Sequence, residues 1–340
     1  MDLRSTSKVE LHRHLEGAIR LETVFDLSVQ AGIPLPATTV EELAPYALIR
    51  EPVDSLEEAL SRFAIAQNCI RSYEAVRRIG HEAVEDLAAD NVRMGELRFS
   101  PEFMCGPAGL DWDEAMRALS DGVGAAARTF GVVVGLVAIF SRDFGIESAR
   151  RTVDFAIRNV DQLVGFDIAG SEVGYPPAMY AQVMAPLRET GLGLTTHYGE
   201  SGGPEYPREA VEALRPSRLG HGLSVARDPS VVDLVLEHGV TLEMCPTSNV
   251  LTRGVARAED HPARQLLGRG VRVTINSDDP GLMGIDLTHE WEVTRRALGF
   301  TEDDFAAATR NAIEACFLPG PEKARVVEQH FGWVSAGSAA

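Results

Sequence analysis

Eight short apolar runs punctuate the chain: VELH (9–12), MGELRFS (94–100), VVVGLVAIF (132–140), LVGFDIA (163–169), LGLTTH (192–197), RLGH (218–221), VTLEMC (240–245) and VRVTIN (271–276). Several are almost continuously apolar and rich in β-branched residues, as parallel strands buried on both faces are. Between them the apolar spacing changes to a helical period, in SYEAVRRIGHEAVEDLAADN (72–91) and WDEAMRALSDGVGAAARTFG (112–131). YPREAVEALRP (206–216), DPSVVDLVLEHG (228–239) and HPARQLLGRG (261–270) open at a proline and close at glycine or proline, which predicts three shorter helices.

Strands alternating with helices predict an α/β fold, a (β/α)8 TIM barrel. A doubly wound open sheet is the alternative, but no GxGxxG follows the first strand. Residues 21–90 read as a mostly helical insertion after strand one, expected over the active face, and about 286–334 as extra C-terminal helices. We expect one domain over residues 1–340, although the length alone allows about two.

Composition narrows the partners. The 50 acidic and 32 basic residues give a net charge of −18, a field that repels phosphate backbones and anionic lipid. We therefore expect no nucleic acid and no membrane partner. The four cysteines, Cys69, Cys105, Cys245 and Cys316, lack CxxC spacing, so neither a disulfide framework nor a thiolate zinc site is indicated. With no apolar leader at the start and no long apolar run, the expected location is cytoplasmic. The oligomeric state is not legible.

The candidate chemistry begins at ELHRHLEGAIR (10–20). In a strand, His12 and His14 project to one face, with Glu16 close behind. A metal pair and a hydrogen-bonded polar pair both fit that stretch alone. Three further run ends weigh in: TTHYGES carries His197 and Glu200, RLGHGLS carries His221, and TINSDDPG carries Asp278 and Asp279. All stand at C-terminal ends of predicted barrel strands, the face where such barrels perform chemistry. His12, His14, His197 and Asp278 make an N3O donor set that suits zinc and accommodates iron or manganese. A water on such an ion has its pKa lowered towards neutrality. His221, Glu200 and Asp279 remain for acid–base and binding work. The chain has only two lysines, Lys8 before strand one and Lys323 in the tail. Neither can supply the carboxylated lysine that bridges binuclear barrel sites, so one ion per chain is expected.

Taken together, ELHRHLEG, FDIAGSE, HYGESGGPE, RLGHG, CPTSN and NSDDPG resemble, in order, the motifs of the adenosine deaminase family of metal-dependent amidohydrolases. The resemblance spans roughly residues 7–330. It implies zinc-dependent hydrolytic loss of the 6-amino group of adenosine or 2′-deoxyadenosine, giving the inosine product and ammonia. Carried over, His12, His14, His197 and Asp278 hold zinc, and a protonated Glu200 donates to purine N1. A zinc-activated water attacks C6, with His221 and Asp278 orienting it. His14, Glu16, Gly170 and Asp279 form the substrate-binding set, Asp279 towards N7 and the Gly170 N–H towards N3.

Three positions depart from that pattern. Glu16 replaces the aspartate that meets the ribose 5′-hydroxyl, which brings in adenine or a 5′-modified adenosine as the alternative substrate. Tyr198 replaces a small residue and is expected to face the barrel wall. Ser171 replaces an aspartate after Gly170. Two other functions compete: a metal-dependent hydrolase of a non-purine amide or phosphoester, and an inactive nucleoside-binding protein. The Glu200/Asp279 pair suits a ring with adjacent nitrogens and has no task on a phosphoester, and an intact ligand set disfavours an inactive protein.

Overall fold

The computed structural model describes residues 1–53 and 56–335, with side chains described except at 56–60 and 335. The remaining parts of the expected 1–340 unit and 21–90 insertion lie outside the described residues. All eight expected strands are present and parallel, hydrogen-bonded in sequence order. They are β1 (Lys8–His14), β2 (Val92–Phe99), β3 (Val133–Ser141), β4 (Gly165–Ala169), β5 (Gly193–Tyr198), β6 (Arg218–His221), β7 (Thr241–Met244) and β8 (Arg272–Ile275). Together they form a nearly closed TIM barrel.

The closure between β8 and β1 is unlike the other joints. A single bridge links Arg13 to Asp278, and side chains supply the rest. Asn276 Oδ1 accepts from the Leu11 N–H at 3.1 Å, and the Ser277 hydroxyl donates to Glu10 Oε2 at 2.5 Å.

Helices α1 (Leu21–Gln30), α2 (Val40–Ala47), α3 (Leu56–Asn68) and α4 (Tyr73–Ala89) separate β1 from β2. The α4 start is fixed by Ser72, whose hydroxyl accepts from the Ala75 N–H. Next come α5 (Pro101–Cys105), α6 (Trp112–Phe130), α7 (Gly145–Arg158), α8 (Ala181–Met184) and α9 (Glu205–Glu209). A π-turn over Ala210–Leu214 prolongs α9 across most of the predicted 206–216 segment. Then follow α10 (Pro229–His238), α11 (Pro246–Leu251), α12 (Ala263–Gly268) and α13 (Pro280–Met283). The tail is helical as expected, with α14 (Leu287–Leu298), α15 (Glu302–Ala315) and α16 (Gly320–His330).

Within 21–90 the helices serve two purposes. α4 packs along α6 and β2 in the barrel's own outer layer. The preceding segment instead reaches the loops after β7 and β8. The Ile49 N–H donates to the Leu282 carbonyl and the Val53 N–H to the Leu251 carbonyl. Ile49, Val53, Leu251, Leu282 and Met283 bury a small apolar cluster there. A helical apolar period is the same for both kinds of helix, which is why one span covered both in the sequence reading.

The main apolar core lies between sheet and helices. The barrel interior is different. Along β2, Leu97 and Phe99 face the outer core, while the alternating Glu96 and Arg98 are fully buried with the inward Asp167, Arg218 and Glu243. Arg218 spans Glu96 at 2.5 Å and Glu243 at 2.6 Å. The Phe317 ring lies 3.5 Å from the Arg218 guanidinium carbon, and the Phe317 N–H donates to Glu96 Oε1. This C-terminal segment closes the bottom of the barrel. No helix among the described residues is long and apolar enough to cross a membrane, and all four cysteines are buried and free.

Candidate active site

The C-terminal ends of β1, β5 and β8 bring four side chains to one point. One ligand atom from each of His12, His14, His197 and Asp278 lies within 4.8 Å of the others. Asp278 Oδ1 stands 3.2 Å from His12 Nε2 and 3.3 Å from His14 Nε2, and the Nε2 atoms of His14 and His197 face each other at 3.2 Å.

The far side of two rings settles what the near side offers. His12 Nδ1 donates to Glu243 Oε2 at 2.9 Å and His197 Nδ1 to Asp167 Oδ2 at 3.0 Å. Each carboxylate fixes a proton on Nδ1 and leaves Nε2 aimed inward. Burial depresses the His197 pKa to about 3 and also lowers that of His14, so these rings stay neutral. His12 Nε2 is buried with no hydrogen-bond partner. Converging lone pairs and a carboxylate oxygen repel one another unless a cation lies between them, so the donor set fits a divalent ion.

Beneath this point Arg98 joins the two supporting carboxylates. It lies 2.8 Å from Asp167 and 2.9 Å from Glu243, and all three are fully buried. Lys8 plays no part. It opens β1 rather than preceding it, and its ammonium donates to the Asp90 carbonyl at 2.6 Å, at the end of β1 remote from His12 and His14.

His221 ends β6 and faces the same point. Its Nε2 lies 3.7 Å from Glu200 Oε2 and 4.0 Å from Asp278 Oδ2. A chain of hydrogen bonds assigns its tautomer. The Ala263 N–H donates to His261 Nδ1, His261 Nε2 donates to Asn249 Oδ1, and Asn249 Nδ2 donates to His221 Nδ1. The His221 proton therefore sits on Nε2, towards Glu200 and Asp278. Burial keeps His261 neutral, with its pKa lowered to about 3. Both His221 and Asp278 have φ near +60°, a region non-glycine residues seldom adopt and one that gathers at functional sites.

Three of the four expected substrate contacts cluster with the metal point. Besides His14, Asp279 follows Asp278, is half-buried, and has a buried Oδ1 without a hydrogen-bond partner. Burial first, then the charges of Asp278, Glu16 and Glu200, hold its pKa well above the usual carboxylate range. Gly17 makes room for it, since a Cβ there would lie 1.7 Å from Asp279 Oδ1. Glu16 is also buried. Its Oε1 accepts from the Ser100 N–H at 2.8 Å, and burial lifts its pKa to about 7. Gly170, at φ +88°, lies just beyond β4, tied to the site through Arg142, which donates to the carbonyls of Gly170 and His197.

Tyr198 turns away from the mouth. It is buried beside Arg142 and Tyr206, and its hydroxyl donates to the Tyr175 carbonyl. The Ser171 N–H donates to Asp143 Oδ2.

Asp167, Glu243, Arg98, Asn249, His261 and Ser248 were not singled out in the sequence. Their signal was available for two of them: a carboxylate interrupts each of the apolar runs LVGFDIA and VTLEMC. Ser248 and Asn249 stand inside CPTSN, a motif given no role in the sequence, whereas Arg98 and His261 carry no local mark.

Comparison with known proteins follows the same lines. The adenosine deaminase family model matches residues 7–331. An adenosine deaminase of Shewanella denitrificans is 35% identical over 320 residues, covering 94% of this chain and 97% of its own. The crystal structure of an adenine deaminase from Arthrobacter aurescens superposes with a TM-score of 0.89 at 28% identity, covering 97% of this chain and all of that one. An amidohydrolase from Burkholderia ambifaria, solved with bound zinc, superposes with a TM-score of 0.87 at 27% identity, covering 99% and 94% of the two chains.

Proposed function

From the premise that this chain belongs to the adenosine deaminase family, we propose that it hydrolyses the 6-amino group of adenosine or 2′-deoxyadenosine, giving the inosine product and ammonia, with one zinc ion per chain. The observation that carries this reading is the inward convergence of His12, His14, His197 and Asp278 beside the His221–Glu200 pair. These four would hold the ion, which supplies a water of lowered pKa when bound.

The chain's own residues do the rest. Purine C6 is a poor electrophile until N1 is protonated. Glu200, whose Oε1 accepts from the Thr252 hydroxyl at 3.0 Å, donates its proton to N1 from the side facing the ring. His221, through its Nε2–H, and Asp278 orient the water, and the Asp278 carboxylate takes up its proton. As oxygen bonds to C6 the same proton passes to the amine, the C6–N bond breaks and ammonia leaves, and the remaining hydroxyl proton returns to Glu200 as the C6 carbonyl forms. Asp279, kept neutral by its surroundings, donates to N7, and the Gly170 N–H meets N3. Such a neutral buried carboxyl acting as donor is a known catalytic device.

One observation favours a second reading, adenine or an adenosine changed at the 5′ position. Glu16 reaches one methylene further than the aspartate of the family pattern and spends one oxygen on Ser100. Its grip on an unmodified 5′-hydroxyl is therefore weakened. An ultraviolet deamination screen of adenosine, 2′-deoxyadenosine, adenine and 5′-modified adenosines, with zinc supplied, tests both. Turnover of the plain nucleosides supports the first, and turnover confined to adenine or the modified nucleosides replaces it with the second. No 6-aminopurine turnover by zinc-loaded protein overturns both.

A further inference from the structure

Glu172, the last residue of FDIAGSE, is 4% exposed and is used by none of the steps above. Its carboxylate collects a run of main-chain donors from the loop after β5. Oε1 accepts from the Gly199 N–H at 2.5 Å. Oε2 accepts from the N–H groups of Glu200 at 3.1 Å, Ser201 at 3.0 Å and Gly202 at 3.0 Å. No cation lies within ion-pair distance of it among the described residues. The buried charge is balanced by four aligned N–H dipoles, each a charge-assisted hydrogen bond.

Those four amides belong to the segment that carries Glu200. A loop of this kind, with two glycines in four residues, has little stiffness of its own. Its conformation is set by the carboxylate it wraps. The wrap is tight, since a Cβ on Gly202 would lie 2.6 Å from Glu172 Oε1. Thr252 holds the Glu200 carboxyl from one side and His221 stands 3.7 Å away on the other, so a small shift of the loop backbone breaks the alignment.

We propose that Glu172 is the positioning residue for the acid: it clamps the main chain at 199–202 so that the Glu200 carboxyl is presented to the reacting ring. This rests on Glu200 being the proton donor. The role is more demanding than anchoring a loop, because a displaced acid loses turnover while leaving metal and substrate binding intact.

The test is a double-mutant cycle on the zinc-loaded protein with E172Q, E200Q and the pair, reading kcat, KM, zinc content and Tm. In E172Q the one remaining oxygen still accepts, but the new amide NH2 faces N–H donors and opens the clamp. E172Q should lower kcat by about 10- to 100-fold with KM and zinc content near wild type, the range typical of a support removed from a working group. Added to E200Q it should change kcat by less than about 3-fold, since the group it positions is already gone. The same loss in both backgrounds, or wild-type kcat in E172Q, overturns the proposal. Wild-type turnover in E200Q overturns the assignment of the acid instead, so the two failures are distinct. Should E172Q fail to fold, G202A decides. Its new Cβ would meet the Glu172 carboxylate at 2.6 Å and the Tyr206 ring at 2.7 Å while keeping every charge, and it must show the same background-dependent loss. Unchanged kcat in G202A, or an equal loss in E200Q, counts against the clamp.

Discussion

Asp278 is bonded to His12 through the backbone and faces it through the side chain. Its N–H donates to the His12 carbonyl at 2.9 Å, and its carboxylate oxygen stands 3.2 Å from His12 Nε2. The joint between the first and last strands of the barrel is thus also the place where the inward donor atoms are assembled.

Asp278 keeps Oδ1 for the two histidines because Oδ2 accepts from the Ser248 hydroxyl at 2.6 Å. Ser248→Ala should leave the fold intact and weaken zinc binding by about tenfold or more, as loss of an outer-sphere partner does. Competition with a chromophoric chelator reads the affinity, and an unchanged value removes Ser248 from the site.

Arg98 neutralises two buried carboxylates. Arg98→Met should destabilise the protein by about 3–5 kcal/mol, because Asp167 loses its arginine partner inside the barrel and Glu243 keeps only Arg218. Denaturant unfolding of the metal-free protein measures this. A loss below about 1 kcal/mol would show that the two acids are neutral without it.

Asn249 passes the orientation of His261 to His221. Asn249→Leu frees the His221 ring to carry its proton on either nitrogen. The expected result is a fall in kcat of about tenfold or more at unchanged zinc content. Equal turnover in the variant would make the chain of bonds a packing feature only.

Glu290 is fully buried against the Thr247 N–H. Burial raises its pKa from 4.5 to about 8. The folded state therefore binds this proton more tightly than the unfolded state. Stability from this group is present at low pH and falls as pH rises from about 4.5 to about 8, by up to about 1.4 kcal/mol per pH unit. Glu290→Gln should flatten that slope and leave the variant the more stable form at pH 8. Parallel stability–pH curves for the two proteins would refute the raised value.

The features most legible in the sequence were those with a short-range signature. Each apolar run became a strand, and His12, His14, His197, His221 and Asp278 fell at strand ends because the fold places C-terminal ends on one face. What stayed hidden depends on pairing across the chain. Arg98 meets Asp167 and Glu243 from 69 and 145 positions away, and nothing local marks a charge in a strand as paired. Nor does a helical period distinguish α4, which packs on the barrel, from α2, which leads into the segment that reaches the turns after β7 and β8. Glu172 stood inside a recognised motif, but its task became visible only once four amides were seen to turn towards it.

The plug made by Phe317 and Arg218 at the base has a consequence for traffic. With that end stoppered by an aromatic ring and an ionic layer, anything that reaches the four inward donor atoms arrives by way of the C-terminal strand ends.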